Sequence, residues 1–170
     1  TNSNEIAEKI HLLRDHGQRR ETGEILFYGF NSRLDNLQAA ILDVKLKHLP
    51  DWIKRRRELA TLYEEGLSGI PQIKTPPPPQ SGRYFDVFTN YVVRAQERDR
   101  LAAYLNKCGI EALISWPKPM HHQKGLDLGH FHLPETERIS REVISLPLFP
   151  ELSNDKVEFV VKSIRTFYRQ

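Results

Sequence analysis

Apolar residues recur every three to four positions in several stretches, the spacing of a helix with one buried face. The first stretch carries Ile6, Ile10 and Leu13 and ends at Gly17. The longest extends from 35 to 67 and contains Pro50, which predicts one long, kinked helix or two helices in line. The same periodicity predicts helices over 97–108, over 134–142 and from 154 onward.

Short runs of β-branched and aromatic residues predict strands at 70–73, within 85–93, at 110–114 and at 143–146. Residues 17–34 contain three glycines and no period, so they are expected to form an extended loop. The stretch 75–82 contains four consecutive prolines and is typical of a stiff connector rather than a partner-docking motif. These elements predict a helical front part, a proline-rich hinge and a small α+β layer.

Composition narrows the class of protein. The chain has 170 residues, of which 39% are hydrophobic and 28% charged, as expected for a globular domain. Cys108 is the single cysteine, which excludes an internal disulfide and a multi-cysteine metal site and fits a reducing, cytoplasmic compartment. No apolar run approaches the roughly 20 residues of a membrane span, and from its first residues we expect no signal peptide. Because the chain opens at Thr1 on a helix cap, we expect a fragment or a processed form.

A run of basic residues and a cluster of histidines suggest two alternative functions, nucleic-acid binding and metal binding. The net charge of +3 permits a nucleic-acid partner, and the run Lys54-Arg55-Arg56-Arg57 would be its footprint. No aromatic residues interleave with that run, so a solvated helix face is favoured and no nucleic-acid partner is expected. Four histidines within twelve residues raise a zinc or copper site, namely His121, His122, His130 and His132. Because no cysteine or firmly placed carboxylate accompanies them, we predict no metal and a hydrogen-bonding pocket histidine instead.

The segment from Gly29 to Leu42 combines groups that suit an anion. Asn31 offers an amide donor and Arg33 a forked cation two residues later, just before a helix that Asp35 or a neighbour can cap. Residues two apart on an extended segment face the same side, so both side chains could share phosphate oxygens. Loop hydrogen bonds and helix capping explain the Asn and Asp equally well on this observation alone.

Several ordered blocks resemble the DegT/DnrJ/EryC1/StrS family of sugar aminotransferases, which use pyridoxal phosphate. The resemblance spans nearly the whole chain and rests on the order and spacing of the following blocks: Leu12-Leu13-Arg14-Asp15-His16-Gly17-Gln18, Asn31-x-Arg33-Leu34-x-x-Leu37-Gln38-Ala39-Ala40, Arg57-x-x-Ala60-x-x-Tyr63, Pro117-x-Pro119-x-His121-x-Gln123, and Ser145-Leu146-Pro147-Leu148-Phe149-Pro150.

The resemblance implies an α/β, fold type I, pyridoxal-phosphate-dependent transferase, of which this chain would be the C-terminal part. Residues 1–74 would form the tail of the large cofactor-binding domain with a long interface helix, 75–82 the connector, and 83–170 the small α+β domain. It further implies a homodimer with shared active sites, a nucleotide-linked keto sugar as substrate and an amino-acid donor such as glutamate. Asn31 would bind the cofactor phosphate of the partner subunit. Arg33, His121 and Trp116 would bind the substrate.

By the same resemblance, no catalytic residue lies in this chain, because the Schiff-base lysine would precede Thr1. We therefore expect the 170-residue chain alone to be inactive. Ser115-Trp116 stands where many relatives have His-Tyr, which leaves the identity of the sugar open. A dehydratase of the same family and a non-catalytic binding or assembly module remain alternatives.

Overall fold

The computed structural model describes residues 1–169 and divides into two compact units, Thr1–Leu49 and Pro50–Gln170. The division falls within the long helix and not at the predicted proline-rich hinge. Residues 75–82 lie wholly inside the second unit. The assignment of 1–74 to a large domain and 83–170 to a small one stays a prediction. No helix described over residues 1–169 has the length and apolar character needed to cross a bilayer.

The first unit begins with helix α1, Asn4–Leu13, whose N-cap Ser3 accepts a hydrogen bond from the backbone of Ile6. Helix α2, Asn36–Leu67, follows the loop, and Asp35 Oδ1 accepts from the backbone of Leu37 at 2.8 Å, as the capping hypothesis expected. The loop is extended, with isolated β-bridges pairing Asp15 with Asn31 and Gln18 with Ile25.

Two glycines let the chain segments on either side of this loop approach closely. Gly17 has φ +70°, and a Cβ there would lie 1.9 Å from the carbonyl oxygen of Phe27. A Cβ on Gly29 would lie 2.1 Å from the backbone nitrogen of Gly17. Only glycine fits either position, and this contact brings Asp15 beside Asn31.

Helix α2 is one continuous helix of 32 residues with Pro50 inside it. Its buried residues, Leu59, Ala60, Tyr63 and Leu67, all lie in its second half. The first half instead carries large apolar side chains that are exposed in this chain, namely Leu37, Ile41, Leu42, Val44, Leu46 and Leu49. Such a surface is unusual for a monomer and typical of an interface.

The second unit contains a three-stranded antiparallel sheet in the order β1-β2-β3, with β1 at Ile73–Lys74, β2 at Tyr91–Ala95 and β3 at Val143–Leu146. Helices α3, Arg98–Lys107, α4, Pro134–Glu142, and α5, Asn154–Tyr168, complete it. Alternate residues of β2 are buried, and with α2, α3 and α5 they form the core.

The predicted helices of this unit are confirmed, whereas three of the predicted strands differ from the observed ones. The strand expected at 70–73 is observed at Ile73–Lys74, and the strand expected within 85–93 is observed at Tyr91–Ala95. The structure has a strand at 143–146, but 110–114 contributes only one β-bridge, from Leu113 to Ser145. Residues 85–88 are not in a strand, although they are as apolar as β2. Their backbone is diverted at Phe88, which has φ +50° and whose N–H donates to Asp86 Oδ1.

The prediction that the basic run forms a solvated helix face is wrong for its three arginines. Arg55 donates to the backbone oxygen of Leu152 at 2.8 Å, and Arg57 donates to the backbone oxygens of Asp86 and Gln80. Arg56 Nη1 lies 2.9–3.2 Å from three backbone oxygens, those of Phe88, Thr89 and Leu148. These side chains tie α2 to the loops of the second unit by donating to loop carbonyl groups that are partly buried or exposed.

Candidate functional site

In the first unit, three side chains are joined around Asn31. Arg33 Nε donates to Asn31 Oδ1 at 3.2 Å, and Arg33 Nη1 lies 3.3 Å from Asp15 Oδ1. The other oxygen of Asp15 accepts from Arg20 Nε at 3.2 Å. Asp15 is almost fully buried, whereas Asn31 and Arg33 are exposed. Asn31 and Arg33, which the sequence predicts to face the same side, are in direct contact, and their binding of a phosphate stays a prediction.

Backbone hydrogen bonds fix the geometry of this cluster. Phe30 N–H donates to Leu13 O at 2.7 Å, and Ser32 N–H donates to Arg14 O at 2.9 Å. Asn31 therefore lies between two residues whose backbone N–H groups are hydrogen-bonded, and it is paired with Asp15 in the β-bridge. Arg14 adds a third guanidinium, whose Nε lies 3.4 Å from Ser32 O. With three guanidinium groups against one carboxylate, the cluster carries excess positive charge at an exposed loop, which suits an anion.

In the second unit, His121 lies on a 3-10 turn, Met120–His122, and is only 4% exposed. Its Nε2 is 3.3 Å from Oε1 of Glu137, which α4 supplies from 16 residues later in the chain. His122 Nε2 lies 3.8 Å from the same oxygen. The hydrogen bond from His121 lowers the pKa of Glu137, and the charges of the nearby histidines lower it further, against some desolvation.

Glu137 and Asp15 are the two site residues that sequence reasoning missed as partners. Ligand atoms of His121, His122 and Glu137 all lie within 4.8 Å of one another, so the structure supplies a carboxylate that the sequence did not locate. The His130 ring instead contacts that of Phe131 at 4.2 Å between centroids. His132 lies near enough to Glu137 for its charge to lower the pKa of that carboxyl. Glu137 is 16 residues away from His121 in the sequence, so only the fold reveals that the two side chains are partners.

Trp116 lies in the loop before the 3-10 turn and is 63% exposed. An exposed indole of this kind presents a large apolar face and one N–H donor. The candidate residues are therefore divided between the two units: Asn31 and Arg33 belong to the first, and Trp116 and His121 to the second.

The comparisons with known proteins place the chain in a family. The pattern of the DegT/DnrJ/EryC1/StrS aminotransferase family matches residues 1–165. A "dTDP-3-amino-3,6-dideoxy-alpha-D-galactopyranose transaminase" from Aneurinibacillus thermoaerophilus is 40% identical over 168 residues, which is 98% of this chain and 45% of that protein. A "Pleiotropic regulatory protein" from Geobacillus stearothermophilus is 40% identical over 173 residues, 99% of this chain and 46% of that protein.

The fold agrees with the family. The crystal structure of DesV from S. venezuelae superposes with a TM-score of 0.88 at 34% identity and covers 100% of this chain and 46% of that chain. The chain belongs to the DegT/DnrJ/EryC1/StrS aminotransferase family and has the fold type I architecture of its C-terminal part. It spans slightly less than half the length of the curated relatives it matches.

Proposed function

We propose that this chain functions as the C-terminal part of a pyridoxal-phosphate-dependent aminotransferase that acts on a nucleotide-linked keto sugar. Membership of the family supports the reaction class. The transaminase names of relatives that this chain matches along almost its full length support the nucleotide-sugar substrate. The observation that carries the proposal within the chain itself is the contact between Asn31 and Arg33.

That contact fits the cofactor's phosphate. Since Arg33 donates to Oδ1 of Asn31, the amide nitrogen of Asn31 is the group left to donate, and phosphate oxygens are acceptors. Asn31 would hold the phosphate of the cofactor that the partner subunit binds. When bound, pyridoxal phosphate stabilises negative charge on the carbon beside the reacting nitrogen. The lysine that carries the cofactor would belong to the part of the enzyme that precedes this chain.

The other candidate residues would bind the sugar nucleotide. Arg33 presents a guanidinium held by Asp15, which suits the diphosphate. Trp116 offers an exposed ring for the sugar or the base, and the buried His121 offers a fixed imidazole. Glutamate is the proposed amino donor, whose carboxylates would use the same positive surface.

The exposed apolar side chains on the first half of α2 support a homodimer as the working unit. Ile41, Val44 and other large residues of 37–49 are more than 40% exposed here. Burial of apolar surface against a second subunit would remove them from water. We expect the 170-residue chain by itself to associate or aggregate, and a strictly monomeric profile in light scattering at high concentration would contradict this.

A chimera tests the proposal directly. The N-terminal part of the Aneurinibacillus transaminase, up to the start of the matching region, is joined to residues 1–170. We expect the chimera to retain pyridoxal phosphate through dialysis and to transaminate the sugar nucleotide of that relative. Asn31→Ala should lower cofactor retention at least about tenfold, the loss expected of a hydrogen bond to a charged group.

Asn106→Ala is the matched control, because Asn106 is an exposed asparagine in the second unit. A folded chimera that binds no cofactor, or one in which Asn31→Ala and Asn106→Ala behave alike, would contradict the proposal. The isolated chain, dialysed after incubation with pyridoxal phosphate, should show no cofactor absorbance band that borohydride abolishes. Absorbance spectra before and after reduction measure this.

A further inference from the structure

We propose that Glu137 is a positioning residue that fixes the ring of His121, with Nε2 as the donor to its carboxylate, so that Nδ1 recognises a hydroxyl of the sugar. The inference rests on the proposed function for its substrate and on contacts within the second unit for its geometry. It concerns two residues that are 16 positions apart in sequence and meet through the packing of α4 beside the 3-10 turn.

The direction of the hydrogen bond follows from the acceptor. An ionised carboxylate has lone pairs and no proton, so the Nε2 of His121, 3.3 Å away, must carry the hydrogen. The lowered pKa of Glu137 keeps that carboxylate ionised at neutral pH. A neutral imidazole that donates from Nε2 has its lone pair on Nδ1, and the second nitrogen then accepts hydrogen bonds and does not donate them.

Glu137 is itself held firmly enough to orient a ring. It lies in the first turn of α4, where the positive end of the helix dipole favours a carboxylate. Its backbone N–H donates to Leu133 O at 3.0 Å, and its backbone oxygen accepts from Ser140 Oγ at 2.9 Å. The His121 ring is only 4% exposed and contacts the tilted ring of His122 at 4.3 Å between centroids, so little freedom remains for the imidazole.

This arrangement predicts which group of the substrate the pocket recognises. When the ring of His121 is neutral and donates from Nε2, its Nδ1 accepts a hydrogen bond, so in that form it selects a hydroxyl or amide N–H over a carbonyl oxygen. The keto oxygen of a nucleotide-linked keto sugar offers no hydrogen. We infer that His121 contacts a hydroxyl of the sugar ring and that the keto group faces other residues. Loss of one such hydrogen bond changes affinity about tenfold.

The same three side chains form an alternative, a divalent cation site with His121, His122 and Glu137 as ligands. The structure favours the hydrogen-bonded pair, because His122 is half exposed and its Nε2 lies 3.8 Å from the shared oxygen. A cation would replace the proton on Nε2 of His121, so the two assignments give different spectra.

Nuclear magnetic resonance of the histidine-labelled 170-residue chain tests the pair without requiring activity. Long-range ¹H–¹⁵N spectra distinguish a protonated ring nitrogen from one with a lone pair. We expect the neutral ring of His121 to be the Nε2–H form in chelator-treated protein. Glu137→Ala should abolish that preference, and Glu137→Gln, which keeps an acceptor oxygen, should restore it. Glu135→Ala, which removes an exposed carboxylate from the same helix, should leave it unchanged.

A different tautomer in the wild type, or an Nε2–H form that persists in Glu137→Ala, would overturn the proposal. So would a ring whose Nε2 gains its proton only after chelation, since that result assigns a metal instead. Circular dichroism of each variant checks that the fold is retained.

Kinetics of the full-length enzyme that the proposed function implies test the substrate role. Glu137→Ala and His121→Ala should each raise the KM for the sugar nucleotide about tenfold, with little change in the KM for the amino donor. The double variant should be no worse than His121→Ala alone, because Glu137 acts through His121. Additive effects would overturn the positioning role. Absence of transaminase activity in the wild type would instead refute the proposed function, and the spectra would still decide whether Glu137 fixes the ring.

Discussion

The side-chain oxygen of Asn31 accepts a hydrogen bond from Nε of Arg33 at 3.2 Å, two residues along the same extended segment. A guanidinium has only donors, so the contact sets the orientation of the amide and leaves its nitrogen to face an acceptor. Asp15 holds Arg33 from the other side at 3.3 Å. Asp15, Arg33 and Asn31 therefore form a series of contacts, and the amide nitrogen of Asn31 at its end is free to donate a hydrogen bond.

Replacing that donor by an acceptor gives the first prediction. Asn31→Asp keeps an oxygen for Arg33 but substitutes a negative oxygen for the amide nitrogen, which would repel phosphate. We expect cofactor affinity in the chimera to fall more than about tenfold, further than in Asn31→Ala. Fluorescence titration with pyridoxal phosphate measures this. Asn106→Asp serves as the charge-matched control, and equal affinity in the two Asp variants would refute the assigned orientation.

Gly29→Ala should disrupt the first unit. The new methyl would lie 2.1 Å from the backbone nitrogen of Gly17, and backbone cannot move aside as a flexible side chain would. We expect a loss of about 2 kcal/mol or more in unfolding free energy, measured by denaturant titration of the chimera. Gly125→Ala is the control, because nothing lies within 4 Å of its added methyl. Equal stability of the two variants would show that the 13–17 and 27–31 segments do not approach as described.

Arg56→Ala should destabilise the second unit. The substitution removes one donor that serves three backbone oxygens at 2.9–3.2 Å. Because two of these hydrogen bonds are only partly buried and the third is exposed, water can replace part of the loss, and we expect a cost of about 1 kcal/mol. Lys54→Ala, at an exposed position of the same helix, should change stability by less than about 0.5 kcal/mol. Thermal unfolding of the two variants provides the comparison, and an Arg56→Ala protein as stable as Lys54→Ala would restore the solvated-face interpretation.

The lowered pKa of Glu137 predicts a pH dependence of stability. A carboxyl whose pKa is lower in the folded than in the unfolded state stabilises the fold above its ordinary value of 4.5 and loses that contribution as pH falls through the folded value. The difference in unfolding free energy between wild type and Glu137→Gln should therefore be largest near neutral pH and shrink in acid. Denaturant titrations from pH 7 to pH 3 measure it. A stability difference that grows as the pH falls would contradict this prediction.

The fold could be predicted from the sequence wherever a local pattern was strong. Helix α4 and strand β3 lie at the predicted positions, since Pro134 at a first helical turn and the apolar run 143–146 are local signals. The strand predicted at 110–114 is reduced to a single β-bridge in the structure, because strand pairing depends on the neighbouring strand and not only on the β-propensity of the residues. The prediction for the arginine run failed for a related reason. Its charge predicted a solvent-exposed helix face, whereas Arg56 donates to loop carbonyl groups some 30 and 90 positions away in the sequence.

The sequence by itself determined the family, the positions of the helices and the caps of the first two, because those features depend on the order and spacing of neighbouring residues. It also placed Asn31 and Arg33 on the same side of one extended segment. The tertiary structure alone decided that Asp15 holds Arg33 and that Glu137 holds His121. Both contacts join side chains from separate segments. Their distances are set by where glycine permits two backbones to meet and where α4 packs, and no local pattern encodes either.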